Sequence, residues 1–259
     1  MLLARLATNQ KKTMDFFDIT TITIMLTGLF ASAFSVAFGF GGVFLLIGGM
    51  TLVLPIESIL PIQAAGMMAS LLSRMALLRT HIEWSYVKTF FIGCVFGTVL
   101  GALLYTNLPA NTVALVLALV MFWAAWAPRA SIGMQVPYAD IIVGGIHAFL
   151  STAFSFGGLM QAAIFRKNFN RQQITATIAA CACSMTLVKV PSYASFGFDY
   201  QPYIGVILAC WVMAPLGTWI GRHFLNKMPE IVFRYGFKAI LTIVGARLVW
   251  IALQPFIPA

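Results

Sequence analysis

Acidic side chains are scarce in this sequence. Only seven of its 259 residues are aspartate or glutamate, against sixteen lysines and arginines, and charged residues of both signs make up 9%. Soluble domains carry about a quarter charged residues, so this composition excludes an ordinary water-soluble protein. None of the seven carboxylates falls in the middle of an apolar run; Glu57 and Asp140 sit near segment ends. Carboxylate proton relays and cation sites place an acid inside the membrane, so both lose ground and an anionic ligand gains it. Low-complexity tracts are missing as well. The four cysteines (Cys94, Cys181, Cys183 and Cys210) all lie in apolar runs, and Cys181-x-Cys183 has no partner pair at metal-binding spacing. They read as small buried hydrophobes, and neither a metal nor another cofactor is expected. His81, His147 and His223 stand apart, and no His-x-x-Glu-His, Gly-x-Ser-x-Gly or Walker phrase occurs. A membrane-embedded enzyme would need such a constellation, and a nucleotide-driven pump would need the Walker phrase or a partner that carries one.

What the chain has in abundance is apolar sequence. Hydrophobic residues make up 61%, and several runs are long enough to cross roughly 30 Å of hydrocarbon. With Gly, Pro and charge as punctuation, ten segments emerge: 19–37, 41–55, 61–79, 86–106, 110–128, 138–154, 157–166, 172–190, 202–222 and 233–254. The fold class is an all-α polytopic membrane protein, with the lipid bilayer as its solvent. The net charge of +9 is scattered through the loops between apolar spans, which is the positive-inside pattern rather than a nucleic-acid footprint. Residues 1–14, with Arg5, Lys11 and Lys12, read as a short tail rather than a cleaved leader.

Two phrases occur twice. Ala37-Phe38-Gly39-Phe40-Gly41-Gly42 returns as Ala153-Phe154-Ser155-Phe156-Gly157-Gly158, and Gly97-Thr98-x-x-Gly101 returns as Gly217-Thr218-x-x-Gly221. The offsets, 116 and 120, differ by a short indel. The chain therefore divides into a first repeat (15–128), a linker (129–137) and a second repeat (138–259), each repeat holding five segments. An odd number per half inverts the second copy relative to the first. Residues 19–55 as one straight helix would be ~55 Å long, too long for a bilayer. The glycine phrase must therefore turn the chain into a hairpin, spanning or re-entrant, whose tip meets its counterpart near the midplane. Close helix packing at the paired glycines is the alternative explanation. An outside N-terminus puts Arg79, Lys88, Arg129, Arg166, Lys167, Arg171, Arg222, Lys227 and Arg234 on the inside. Paired glycine-rich breaks in two inverted halves point to a transporter's binding site and to alternating access; a channel would need no such repeat.

After each glycine turn a new helix begins, and its first N–H groups lack partners within the helix. Gly39, Phe40, Gly41 and Gly42 in one copy, and Ser155, Phe156, Gly157 and Gly158 in the other, therefore form candidate anion-binding tips. The polar residues that accompany them inside the spans are Ser35, Ser151 and Gln161, with Gln63, Ser70 and Arg74 on one helical face and Lys189 on the eighth segment. Arg74 and Lys189 lie within a turn or two of segment ends, so snorkelling to the interface competes with anion contact. Arg247 reads either as a structural cation or as an attractor for anions. His147 is the one intramembrane histidine, either a proton-coupling group or a satisfied core residue.

The two glycine phrases, the length and the pair of homologous halves resemble the TauE/SafE family of sulfite and sulfonate exporters. That resemblance implies a secondary transporter in the bacterial inner membrane whose partner is a small anionic organosulfur compound. Family members have a longer glycine run in the first phrase, and Ser155 replaces glycine in the second copy here. Most family members resembled are exporters, and a minority are uptake permeases for arenesulfonates such as 4-toluenesulfonate. Phe34, Phe38, Phe40, Phe44, Met67, Met68, Phe154, Phe156 and Met160 surround the phrases. They suit either an apolar pocket for an organosulfonate or ordinary packing and lipid contact. Sulfite export is the second reading, and a homodimer is an option that the sequence leaves open.

Overall fold

The structure, a computed structural model, describes residues 19–38, 42–126, 139–156, 169–224 and 230–254. Those residues form nine α-helices and no strand. The helices are α1 (Ile19–Phe38), α2 (Gly42–Val53), α3 (Ile59–Leu77), α4 (Trp84–Asn107), α5 (Ala110–Trp126), α6 (Ala139–Phe154), α7 (Arg171–Ser195), α8 (Ile204–Phe224) and α9 (Glu230–Leu253). Nine of the ten expected segments thus appear as helices within a few residues of their expected bounds. The tenth, 157–166, and the linker 129–137 lie outside the described residues. Four helical stretches are long and apolar enough to cross a membrane: Ile56–Leu77, Trp84–Asn107, Gln172–Ser195 and Gln201–Gly221. Large apolar side chains such as Phe30, Phe96, Trp219, Ile243 and Trp250 are exposed around the outside, as a lipid-facing surface requires.

Local chemistry sets the helix ends. Asn170 caps α7 with its side chain on the Gln173 N–H, and the Gln173 side chain reciprocates, a complete capping box. At the other end Gly197, at φ +96°, lets Gly197 and Phe198 donate back to Ala194 and Tyr193. Helix α7 runs five residues beyond the expected end, through Pro191. Around that proline the Ser192, Ser195 and Tyr200 hydroxyls donate to the carbonyls of Val188, Pro191 and Val190.

Helix α2 lies back along α1. A side chain at Gly42 would collide with the Ala31 carbonyl and the Ser35 Cβ, and one at Gly49 with Thr27. Later residues of α2 thus meet earlier residues of α1, which makes the pair an antiparallel hairpin. At 12 residues, α2 is ~18 Å long, too short to span. Its tip, 39–41, lies outside the described residues.

The helix contacts map onto themselves when the two halves are exchanged. Helix α4 packs against α6, and α8 against α1; α4 packs on α7, and α8 on α3. Two further pairings, α5 with α9 and α3 with α7, join each helix to its own counterpart. The registers agree in detail. A Cβ at Gly97 or Gly101 would meet the Gly145 or Phe149 carbonyl, whereas one at Gly217 or Gly221 would meet the Leu29 or Ala33 carbonyl. The opposed pairs are shifted by the same 120 residues on α4/α8 and 116 on α6/α1 that separate the sequence phrases. Each glycine pair lets the fourth helix of one half touch the backbone of the first helix of the other.

Candidate functional site

Two buried cations occupy equivalent places in the two halves. Arg74, on α3, is 7% exposed; its Nη2 donates to the Ser35 Oγ on α1 at 3.0 Å and to the Ser70 Oγ at 3.3 Å. Lys189, on α7, is 5% exposed; its Nζ donates to the Ser151 carbonyl on α6 at 3.0 Å and to the Ser151 Oγ at 3.3 Å. Ser35 and Ser151 each lie four residues before the third position of the repeated glycine phrase, and are 116 apart; Arg74 and Lys189 are 115 apart. The repeat therefore places one cation on one hairpin serine, twice. Both side chains are buried in protein, which removes the snorkelling alternative for this pair.

Their electrostatic setting is unusual. A buried charge is normally paired, because losing its hydration costs several kcal/mol. Here the partners are hydroxyls and a carbonyl. Glu57 lies at the other end of α3 from Arg74, Glu83 accepts from Gln173, and Asp199 accepts from the Gln201 N–H. Asp140 is in the first turn of α6, three turns from Ser151. Capacity for an anion also remains. The Arg74 Nε is buried with no hydrogen-bond partner, and two of the three Lys189 donors are taken. A tetrahedral oxyanion accepts several N–H and O–H bonds at once.

The other expected site residues distribute as follows. Gly42 starts α2 directly against Ser35, so close packing accounts for that glycine and brings the α2 N-terminus beside the Arg74 cluster. Gln63 and Ser70 are buried with Arg74 on α3. Ser155 is at φ +57° and ends α6, with its N–H on the Ser151 carbonyl. In the second copy the third position thus takes the left-handed conformation, which glycine adopts freely and serine at a cost of about 1–2 kcal/mol. Ser155→Gly is accordingly expected to raise the unfolding temperature, by about 1 kcal/mol in stability, in a thermal scan of the purified protein. Phe156 stacks obliquely on Trp123 with ring centroids 4.5 Å apart. His147 is buried, with its ring 5.9 Å from that of Phe90. Gly39, Phe40, Gly41, Gly157, Gly158 and Gln161 lie outside the described residues.

Two features were not legible in the separate sequence positions. Tyr193, fully buried, donates from its hydroxyl to the Thr152 carbonyl at 2.6 Å, which clamps α7 to α6 one residue from Ser151. Arg247 reaches the Thr51 hydroxyl on α2 at 3.5 Å. The shared spacing of Ser35 with Ser151, and of Arg74 with Lys189, is the sequence signal that pairs the cations. No group of three or more potential metal ligands occurs among the described residues.

Comparison with known proteins agrees with these features. A family model for the sulfite exporter TauE/SafE matches residues 24–248. Neither a curated protein nor a solved structure matches the chain.

Proposed function

The chain belongs to the TauE/SafE family, membrane transporters of the sulfite and sulfonate type, and from that premise we propose that it carries an organosulfonate anion by alternating access. The observation behind this reading is the pair of buried cations, Arg74 on Ser35 and Lys189 on Ser151, neither with a carboxylate partner among the described residues. An anionic headgroup supplies the missing countercharge while it is bound and leaves no permanent ion pair behind, so affinity stays compatible with release. Neutral hydroxyls from Ser35, Ser70 and Ser151 add shape and donors without fixed charge. The buried Phe34 and Met67, next to Ser35 and one turn before Ser70, supply apolar surface for the organic part. The inverted halves then rock against each other, with the glycine-lined α4–α6 and α8–α1 crossings as the joints between them.

A sulfite exporter is the second reading, and the family description favours it. Reconstituted vesicles separate the two. Vesicles preloaded with 4-toluenesulfonate are expected to accumulate labelled 4-toluenesulfonate by counterflow, with little competition from sulfite added outside. Counterflow of sulfite that 4-toluenesulfonate does not inhibit moves the substrate to the inorganic anion, and the absence of either flux overturns both readings.

A further inference from the structure

Arg74 and Lys189 do not line one common pocket. Their helices, α3 and α7, run antiparallel: the short link from α3 to α4 brings Glu83 to the start of α7, where its N–H donates to Thr177 and its carboxylate accepts from Gln173. Where the two helices touch, Met68 Sδ lies 4.0 Å from Cys183 Sγ. Those residues are also 115 apart, so this contact sits at the point about which the halves exchange. Arg74 is six residues beyond it on α3, and Lys189 six residues beyond it on α7 in the opposite direction. At 1.5 Å per residue each Cα is about 9 Å from the central contact, toward opposite faces.

The side chains also turn away from each other. Arg74 turns to α1, which packs on α8 and α2; Lys189 turns to α6, which packs on α4. Helices α1 and α6 share no extensive packing among the described residues. Each cation is tied to the serine of its own half's first helix, and among the described residues each retains unused donor capacity: the buried Arg74 Nε at one, the third Lys189 proton at the other.

We propose that the two cation–serine pairs are separate oxyanion stations, one toward each face of the membrane, which hold the same sulfonate headgroup in turn. This deepens the transport reading above and rests on it. The Arg74 station faces the side that carries the basic loops, because Arg74 is close to the α3 end that leads to Arg79 and Lys88; the Lys189 station faces the other. The two are chemically unequal. A planar guanidinium offers a two-pronged fork to a sulfonate, and an ammonium is a point charge. The headgroup is therefore held more tightly at the Arg74 end.

Single cysteines test this in vesicles of known orientation. Ser70→Cys and Ser151→Cys are made in protein whose Cys94, Cys181, Cys183 and Cys210 are replaced by alanine, with sulfonate counterflow measured alongside. Ser192→Cys, one turn from Lys189, serves where Ser151→Cys does not fold. A membrane-impermeant charged maleimide is applied from one face at a time, with 4-toluenesulfonate or methanesulfonate as protecting anion. The Ser70→Cys variant is expected to react from the basic-loop face and the Ser151→Cys (or Ser192→Cys) variant from the opposite face. Each is expected to be slowed about tenfold by anion at roughly ten times its dissociation constant, by mass action. Reaction of both from one face, or of neither, overturns the two stations while leaving sulfonate transport standing. Sided labelling that neither sulfonate slows, in vesicles that still carry out counterflow, overturns the assignment of these residues to the anion. Loss of counterflow in the wild-type protein overturns the transport reading itself.

Discussion

Arg74→Met is expected to abolish anion flux while leaving the melting temperature unchanged or raised. The reasoning runs through burial. Arg74 is 7% exposed, donates only to two serine hydroxyls and leaves its Nε unpartnered. Breaking a buried salt bridge strands the other charge and is strongly destabilising, but here no carboxylate is left behind. Methionine fills a similar volume without the desolvation cost, so the folded state loses little. What disappears is the cation. Two charge-assisted hydrogen bonds to a substrate are together worth about 3 kcal/mol, roughly a hundredfold in binding. Flux assays and thermal scans on the same preparation check both halves of the expectation. A fall in melting temperature with flux retained would assign Arg74 to the architecture. Such a trade of stability against activity is common at functional sites.

The second large effect belongs to the crossings. Gly97→Val and Gly217→Val are each expected to eliminate folded protein. At both positions a Cβ would overlap a backbone carbonyl of the opposing helix, that of Gly145 or of Leu29. Overpacking costs about 1–3 kcal/mol where side chains can give way; here the obstacle is main chain, so the helices must part over their whole length. Gly236→Ala is the control. Nothing lies within 4 Å of a Cβ there, and alanine in an exposed helix is worth up to about 1 kcal/mol. Yield and melting temperature after detergent extraction measure all three. Equal damage from the first two is the stronger expectation, because it follows from the exchange of halves rather than from either site alone.

Hydropathy carried most of the fold, for a physical reason. In a bilayer every backbone polar group must be satisfied within the helix, so apolar length translates almost directly into helix bounds. Helix α7 runs past Pro191, beyond the expected end of its segment; a proline disfavours the helix interior but does not by itself fix where a helix held by its neighbours stops. The spacings of 116 and 120 residues marked the two halves but not which helices cross; the structure shows equivalent glycines making equivalent contacts. The candidate site was legible as residues but not as pairs. Arg74 and Lys189 near segment ends are equally consistent with an interface and with an interior, because sequence position fixes depth along a helix and not the neighbour a side chain turns to. Ser35 and Ser151 supplied that neighbour. Gly42 shows the same ambiguity at one residue: it starts the short helix beside Arg74 and is also required by the approach of Ala31 and Ser35. Ser155 shows why glycine suits the third position of the phrase, since this serine sits at a helix terminus in the left-handed region and bears its cost.

The most direct test of the central claim, that the buried cations are anion sites, is the sulfonate-dependent melting temperature of the wild-type protein and of the double variant Arg74→Met with Lys189→Met. A ligand that binds only the folded state raises stability by about 2.7 kcal/mol at one hundred times its dissociation constant. The account predicts that 4-toluenesulfonate raises the wild-type melting temperature and leaves that of the double variant, which lacks both cations, where it was without ligand. A variant that melts lower than wild type and still responds fully to the sulfonate would contradict it.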